Sequence, residues 1–182
     1  MHFCNHSQGY GLIAIMLHWF MAIGIIGLFC LGLWMTSLSY YDAWYTRAPW
    51  LHKSAGIIIA ITLVCRICWR LSNPNPALPS TLSSLEKNLA RWGHRLLYVL
   101  MLSVMISGYM ISTTDGRAIE VFGWFDVPAV FPPFDNQEDI AGVLHFYLAS
   151  STLALATLHA LAAFRHQFID RDGTLTKMLN PF

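Results

Sequence analysis

The sequence predicts an all-α integral membrane protein, a four-helix bundle followed by a short helix lying on the membrane surface. Three observations carry this. Apolar residues make up 55% of the 182 residues and charged residues only 12%, where a soluble domain carries about 25% charged. Four apolar runs each approach the roughly 20 residues that a bilayer span needs. Aromatic residues reach 14%, which suits belts at two membrane interfaces.

A chain of this length reads as one domain, 1–182. The predicted spans cover about 12–37, 52–69, 92–111 and 140–164. The first is not expected to be a signal peptide: no Lys or Arg precedes it, and no small-residue cleavage pattern follows. The second carries Arg66 and the third Arg95, while the fourth contains no Asp, Glu, Lys or Arg. The connection 38–51 is short and aromatic. The connection 70–91 holds Pro74, Pro76 and Pro79 and then a stretch expected to form a surface helix. The connection 112–139 is long, acidic and aromatic, with no obvious regular element, and such loops are often functional. In the tail, Asp172 and Thr174 are placed to cap a helix whose Leu175, Met178, Leu179 and Phe182 share a face.

Charge predicts direction. The 66–95 region and the tail hold Arg66, Arg70, Lys87, Arg91, Arg95, Arg165, Arg171 and Lys177; the opposite side holds Arg47, Lys53 and Arg117. The positive-inside rule then puts both termini in the cytoplasm of a multi-pass inner-membrane protein. Acids lean the other way: Asp42, Asp115, Glu120, Asp126, Asp135, Glu138 and Asp139 lie outside, and Glu86, Asp170 and Asp172 inside. Membrane lipid is the expected surrounding, and no nucleic-acid partner is expected.

Histidine inside a span is costly and marks a functional site by default. His18 lies in the first span, His52 starts the second, His94 starts the third, and His145 and His159 lie in the fourth. His145 and His159 are 14 residues apart, within about 40° of the same helix face and about 21 Å apart along the axis. Because the chain reverses at each connection, four of these residues sort by depth. His18 and His159 make an inner pair, and His52 and His145 an outer pair. Two imidazoles on one haem iron form a closed site suited to electron transfer. Arg66 follows His52 by 14 residues. It shares that face at the inner depth and is a candidate partner for haem propionates, the bland reading being a side chain that snorkels to the interface.

Other readings are weaker. A proton-relay transporter would carry acids within its spans, and these spans essentially lack them. A zinc site lacks carboxylate or thiolate partners at matching depths. Cys65 and Cys68 form a C-x-x-C inside an apolar run and read as small packing residues. No C-x-x-C-H occurs, so covalent c-type haem is not expected.

Long blocks then resemble a known family: "LHWF" at His18, "LHKSAGI" at His52, "CRICWR" at Arg66, "WGHRLLY" at His94, "SGYMIST", "FGWFDVP", and "LHFYLA" with "LHALAAFRHQF" in the fourth span. Nearly the whole chain resembles the bacterial cytochrome b561 family, related to the cytochrome b subunits of nickel hydrogenases and formate dehydrogenases. The resemblance implies two non-covalent b haems with His18, His52, His145 and His159 as axial ligands. It also implies exchange with ubiquinone near the cytoplasmic haem. His166 then corresponds to a position near the quinone pocket, with His94, Arg91 and Arg165 as further candidates; solvated interfacial cations are the bland alternative. Lys53 joins Arg66 as a propionate candidate.

The resemblance leaves the exact activity open. Some relatives oxidise superoxide at the outer face, whereas this outer face is acidic and repels anions; Arg47 and Lys53 could still form a local cationic mouth. The leading expectation is a dihaem carrier between an unidentified outer-face donor or acceptor and the quinone pool. The alternative is a haem-bearing anchor and electron wire for a larger dehydrogenase or hydrogenase, docking through the 112–139 loop.

Overall fold

The structure is a computed structural model, which describes residues 2–6, 9–77, 79 and 82–181. Four long helices dominate: α1 (Leu12–Thr36), α2 (Arg47–Ser72), α3 (Ser84–Ser112) and α4 (Gln137–Phe168). All four are long and apolar enough to cross a membrane. At 1.5 Å per residue the 32 residues of α4 extend about 48 Å, beyond a hydrocarbon core of about 30 Å. Large apolar side chains such as Met16, Ile23, Val64, Val99 and Leu158 are more than half exposed, as lipid-facing positions must be.

The helices outrun the apolar runs because their ends are capped. Pro49 sits in the first turn of α2, where a missing N–H costs nothing. Before it, the Ser39 N–H and hydroxyl donate to Asp42 at 2.7 and 2.8 Å and hold that carboxyl below the usual range. Helix α3 begins with a capping box: the Ser83 N–H and hydroxyl donate to Glu86, and the Glu86 N–H donates back to Ser83 Oγ. The expected surface helix before the third span is therefore absent as a separate element, since 84–91 is continuous with α3. Acids in the first turn of α4 and Arg165 with His166 in its last turn complement its dipole.

Between α3 and α4 lies an element the sequence reading did not anticipate, an antiparallel hairpin of β1 (Ile119–Val121) and β2 (Phe125–Val127). Its turn uses positive φ at Phe122 and Gly123. The expected tail helix is a single 3-10 turn, Thr176–Met178. Asp172 does cap the approach to it, accepting from the N–H and hydroxyl of Thr174. Phe182, the last residue of the expected apolar face, lies outside the described residues. The cysteines differ from expectation. Cys65 and Cys68 are exposed, and Cys4 and Cys30 are likewise free and exposed; none packs in a core.

The chain divides into two compact units, each drawing a stretch from all four helices. The first comprises Met1–Ala22, Thr62–Tyr98 and Ala154–Phe182. Its buried residues include Ile15, Met21 and Leu63. Asn5 ties its N-terminal strand down, accepting from Gly11 N–H and donating to the Pro74 carbonyl. The Trp19 indole donates to the Met178 carbonyl at 2.7 Å, which latches the tail to α1. The second unit comprises Ile23–Ile61 and Val99–Leu153. There the hairpin buries Ile119 and Val121 and is pinned to α2 by the fully buried Ser54, which donates to the Glu120 carbonyl and accepts from Phe122 N–H. Gln137 donates to the Met110 carbonyl at 2.8 Å, satisfying an end group of α3.

Candidate functional site

Each predicted histidine pair falls inside one unit. In the second unit, the rings of His52 (α2) and His145 (α4) have centroids 6.2 Å apart at an interplanar angle of 76°. In the first unit, His18 (α1) and His159 (α4) are 6.4 Å apart at 68°. These spacings can be tested against a shared iron. With a metal–nitrogen bond of about 2.0 Å and about 1.1 Å from that nitrogen to the ring centre, two imidazoles sharing one iron would stand about 6.2 Å apart. Both pairs match this distance. His94 (α3) also approaches His159, but at 5.0 Å, too close for the two rings to face each other across one iron.

The second unit is built around its two rings. Gly32 of α1 lies against His52: a Cβ there would stand 3.3 Å from the imidazole Cε1. Gly108 of α3 lies against His145, where a Cβ would stand 3.0 Å from Cε1. Both glycines are present because a ring occupies the space of their missing side chain. His145 Nδ1 is 3.0 Å from the Val104 carbonyl and 3.0 Å from Ser107 Oγ. His52 Nδ1 is buried without an aligned hydrogen bond, with the Leu28 backbone as a polar neighbour. Lys53 is exposed on α2.

In the first unit, Arg66 turns inward rather than toward the interface. Its guanidinium lies 2.8 Å from His18 Nδ1 and donates to the Tyr98 hydroxyl at 3.2 Å. Tyr98 also receives Arg70 over its ring, 5.5 Å from the centroid. A guanidinium only donates, so His18 Nδ1 accepts and its proton sits on Nε2. Ligation of a haem iron through Nε2 would require Arg66 to release His18, and the guanidinium would then be placed to meet a propionate. Trp69, one turn further along α2, has a buried indole N–H with no partner. It is a second donor that an anionic or carbonyl ligand would satisfy. His94 Nδ1–H donates to the Ala90 carbonyl at 2.6 Å.

Beyond His159 on α4, His166 is 17% exposed and brings Nδ1 within 3.0 Å of Asp170 and 3.2 Å of Asp172. Neither approach is aligned as a hydrogen bond. The Asp172 side chain is only 2% exposed. The other quinone-site candidates are engaged elsewhere. Arg165 is exposed and lies 3.5 Å from Glu86 and 3.6 Å from Asp170, and Arg91 donates to the Lys87 carbonyl. No cluster of three or more metal-binding side chains of the zinc kind occurs among the described residues.

Sequence reasoning missed the residues that hold the rings. Ser107, Gly108 and Gly32 are small residues in apolar helices, and read alone they signal only close helix packing. Asp170 and Asp172 were read as tail acids; their spacing of four and six residues from His166 was the available signal.

The profile of the prokaryotic cytochrome b561 family matches residues 9–181. "Cytochrome b561 homolog 2" of Escherichia coli (strain K12) is 49% identical over 179 residues, covering 98% of this chain and 95% of that protein. "Probable superoxide oxidase CybB" of Yersinia pestis is 31% identical over 134 residues, 72% of this chain and 76% of that one. "Cytochrome b561 homolog 1" of Escherichia coli (strain K12) is 25% identical over 128 residues, 70% and 72% of the two chains. Four apolar membrane helices, a histidine-rich interior and a match along almost the full length establish that this chain belongs to the prokaryotic cytochrome b561 family, membrane electron-transfer proteins that carry b-type haem.

Proposed function

We propose that this chain is a stand-alone dihaem cytochrome of the bacterial inner membrane, carrying electrons between an outer-face donor or acceptor and the ubiquinone pool. The observation that carries the reading is the spacing of the histidine pairs, 6.2 and 6.4 Å between ring centroids. His52 and His145 would hold the outer haem, and His18 and His159 the inner one. Each haem would supply a one-electron centre kept out of water. The protein's own part is to fix the rings, exclude solvent and offer cations to the propionates; Arg66 is the inner candidate for that and Lys53 the outer one.

Both termini are placed in the cytoplasm, from the excess of cations on that side. Quinone chemistry needs protons as well as electrons. His166, between two carboxylates and about 10.5 Å along α4 from His159, is suited to hold one on Nδ1. Its ring can pass that proton toward a headgroup seated beside the inner pair.

The relative named as a superoxide oxidase raises superoxide as an outer substrate. The charge distribution of this chain disfavours it. Of the three outer cations, Arg117 is already paired with Asp115 at 2.6 Å, which leaves Arg47 and Lys53 against six further acids in the outer segments. A neutral or cationic donor fits this face better.

The test is a pyridine haemochrome assay on the purified protein with reduced-minus-oxidised spectra. Two haems per chain are expected. His52→Ala and His145→Ala should each remove the same spectral component, and His18→Ala and His159→Ala the other. One haem per chain, or His52→Ala and His18→Ala removing the same component, would sink the assignment.

A further inference from the structure

Of the four paired rings, His18, His52 and His145 differ in what their Nδ1 meets. His18 Nδ1 meets a donor, Arg66. His52 Nδ1 meets no aligned group. His145 Nδ1 meets two groups on one turn of α3, the Val104 carbonyl and Ser107 Oγ, each at 3.0 Å.

A carbonyl oxygen can only accept, so His145 carries its hydrogen on Nδ1. The Ser107 hydroxyl spends its own hydrogen on the Val104 carbonyl, at 2.9 Å, and so turns a lone pair to the ring. Both neighbours then accept from the same N–H. The Ser107 residue is only 5% exposed, so water does not compete for that hydrogen. The adjacent Gly108 lets the ring lie flat against the helix, since a Cβ would stand 3.0 Å from Cε1 and 3.3 Å from Nδ1. With Nδ1 protonated, Nε2 is the free lone pair. Acceptors on the far nitrogen of an axial imidazole fix its tautomer and orientation and raise its basicity.

We propose that Ser107 is a positioning residue for the outer haem. Together with the Val104 carbonyl, it locks the His145 tautomer and ring angle and makes this imidazole a stronger electron donor, which lowers the midpoint potential of the iron that His52 and His145 would share. The proposal rests on the ligand assignment above. On the inner pair, His18 Nδ1 meets a donor, Arg66, rather than an acceptor, and the Val104–Ser107 seat lies on the outer pair alone.

The experiment is a redox titration of the purified full-length haem-loaded protein, read optically and by low-temperature electron paramagnetic resonance. The variants are Ser107→Ala, Ser107→Thr and Gly108→Ala. In Ser107→Ala the haem-to-protein ratio should stay at the wild-type value. The component missing from His52→Ala should shift to higher potential with an altered resonance position, and the other should not move. Ser107→Thr, which keeps the hydroxyl, should restore the wild-type values. Gly108→Ala should move the resonance of the same component by pushing the ring. An unmoved outer component in Ser107→Ala, equal shifts in both components, or failure of Ser107→Thr to restore would overturn the proposal. If Ser107→Ala does not assemble, a Gly108→Ala variant with unchanged resonance overturns it by itself. If His52→Ala and His145→Ala remove different components, the ligand assignment falls and takes the seat with it; that result is distinct from an intact pair with an unmoved potential.

Discussion

At the scale of single residues, the chemistry of each ring is set by what touches its second nitrogen. Arg66 shows this most directly. It faces both His18 and Tyr98, and its charge sits in the interior with no carboxylate among its recorded partners. A half-buried cation facing the interior favours an anionic partner, and a propionate is one. Arg66→Ala is therefore expected to reduce retention of the inner haem several-fold while leaving the outer component at full occupancy, measured by haem-to-protein ratio after gel filtration. Arg66→Lys should retain more haem, since it keeps the charge but loses the planar fork. An undiminished inner component in Arg66→Ala would remove Arg66 from the site. His166 gives a second expectation. In His166→Ala both haem spectra should persist, while the rate of haem re-oxidation by a soluble ubiquinone analogue should fall by about a hundredfold, the lower range for loss of a proton-transfer group. An unaltered rate would place quinone elsewhere.

The elements show what was legible in the sequence and what was not. The four helices were legible because lipid imposes long apolar runs. Their ends were not, because a hydropathy pattern reports where lipid touches the chain, whereas Ser83 with Glu86 and Pro49 decide where hydrogen bonding starts. The histidine pairs were legible from depth and face alone, because the helix repeat fixes both. The hairpin was not: two strands of three residues carry too few alternations to announce themselves within "IEVFGWFDV". The capping box makes a measurable claim. Ser83→Ala should cost α3 about 1 kcal/mol of local stability. Hydrogen exchange should quicken at the first-turn amides of α3 without any change in the haem spectra. Protection equal to wild type there would show that α3 is held by packing alone. Ser54 makes a parallel claim for the hairpin. Ser54→Val leaves the Phe122 N–H without its acceptor, at a cost of roughly 1–3 kcal/mol, and exchange should rise across 119–127 before it rises elsewhere.

At the scale of the whole molecule, charge asymmetry is expected to orient the protein in the membrane. Single-cysteine variants on a background lacking Cys4, Cys30, Cys65 and Cys68 can report it. Cysteine at position 4 should react with an impermeant thiol reagent only in inverted vesicles, and cysteine at position 117 only in cells or spheroplasts. The reverse pattern would invert the assignment of the two haems to the two faces. The acidic outer loops add a kinetic expectation. Reduction by a small cationic donor should slow as ionic strength rises, and reduction by a small anionic one should quicken, because salt screens both attraction and repulsion. Equal salt dependence for the two donors would mean that the outer face does not steer its partner.

The latch between the Trp19 indole and the Met178 carbonyl bears on the order of synthesis. Each histidine pair, like the latch, joins an early helix to α4 or the tail beyond it. On the proposed ligand assignment, a ribosome that has made three helices has made no complete ligand set, and His18 and His52 would wait in the lipid as single polar side chains. Loading with haem would then be a late event, after α4 has entered the membrane. A chain stalled before that point exposes unsatisfied histidines and an unlatched first helix, the features by which a membrane protease would tell an unfinished copy from a finished one.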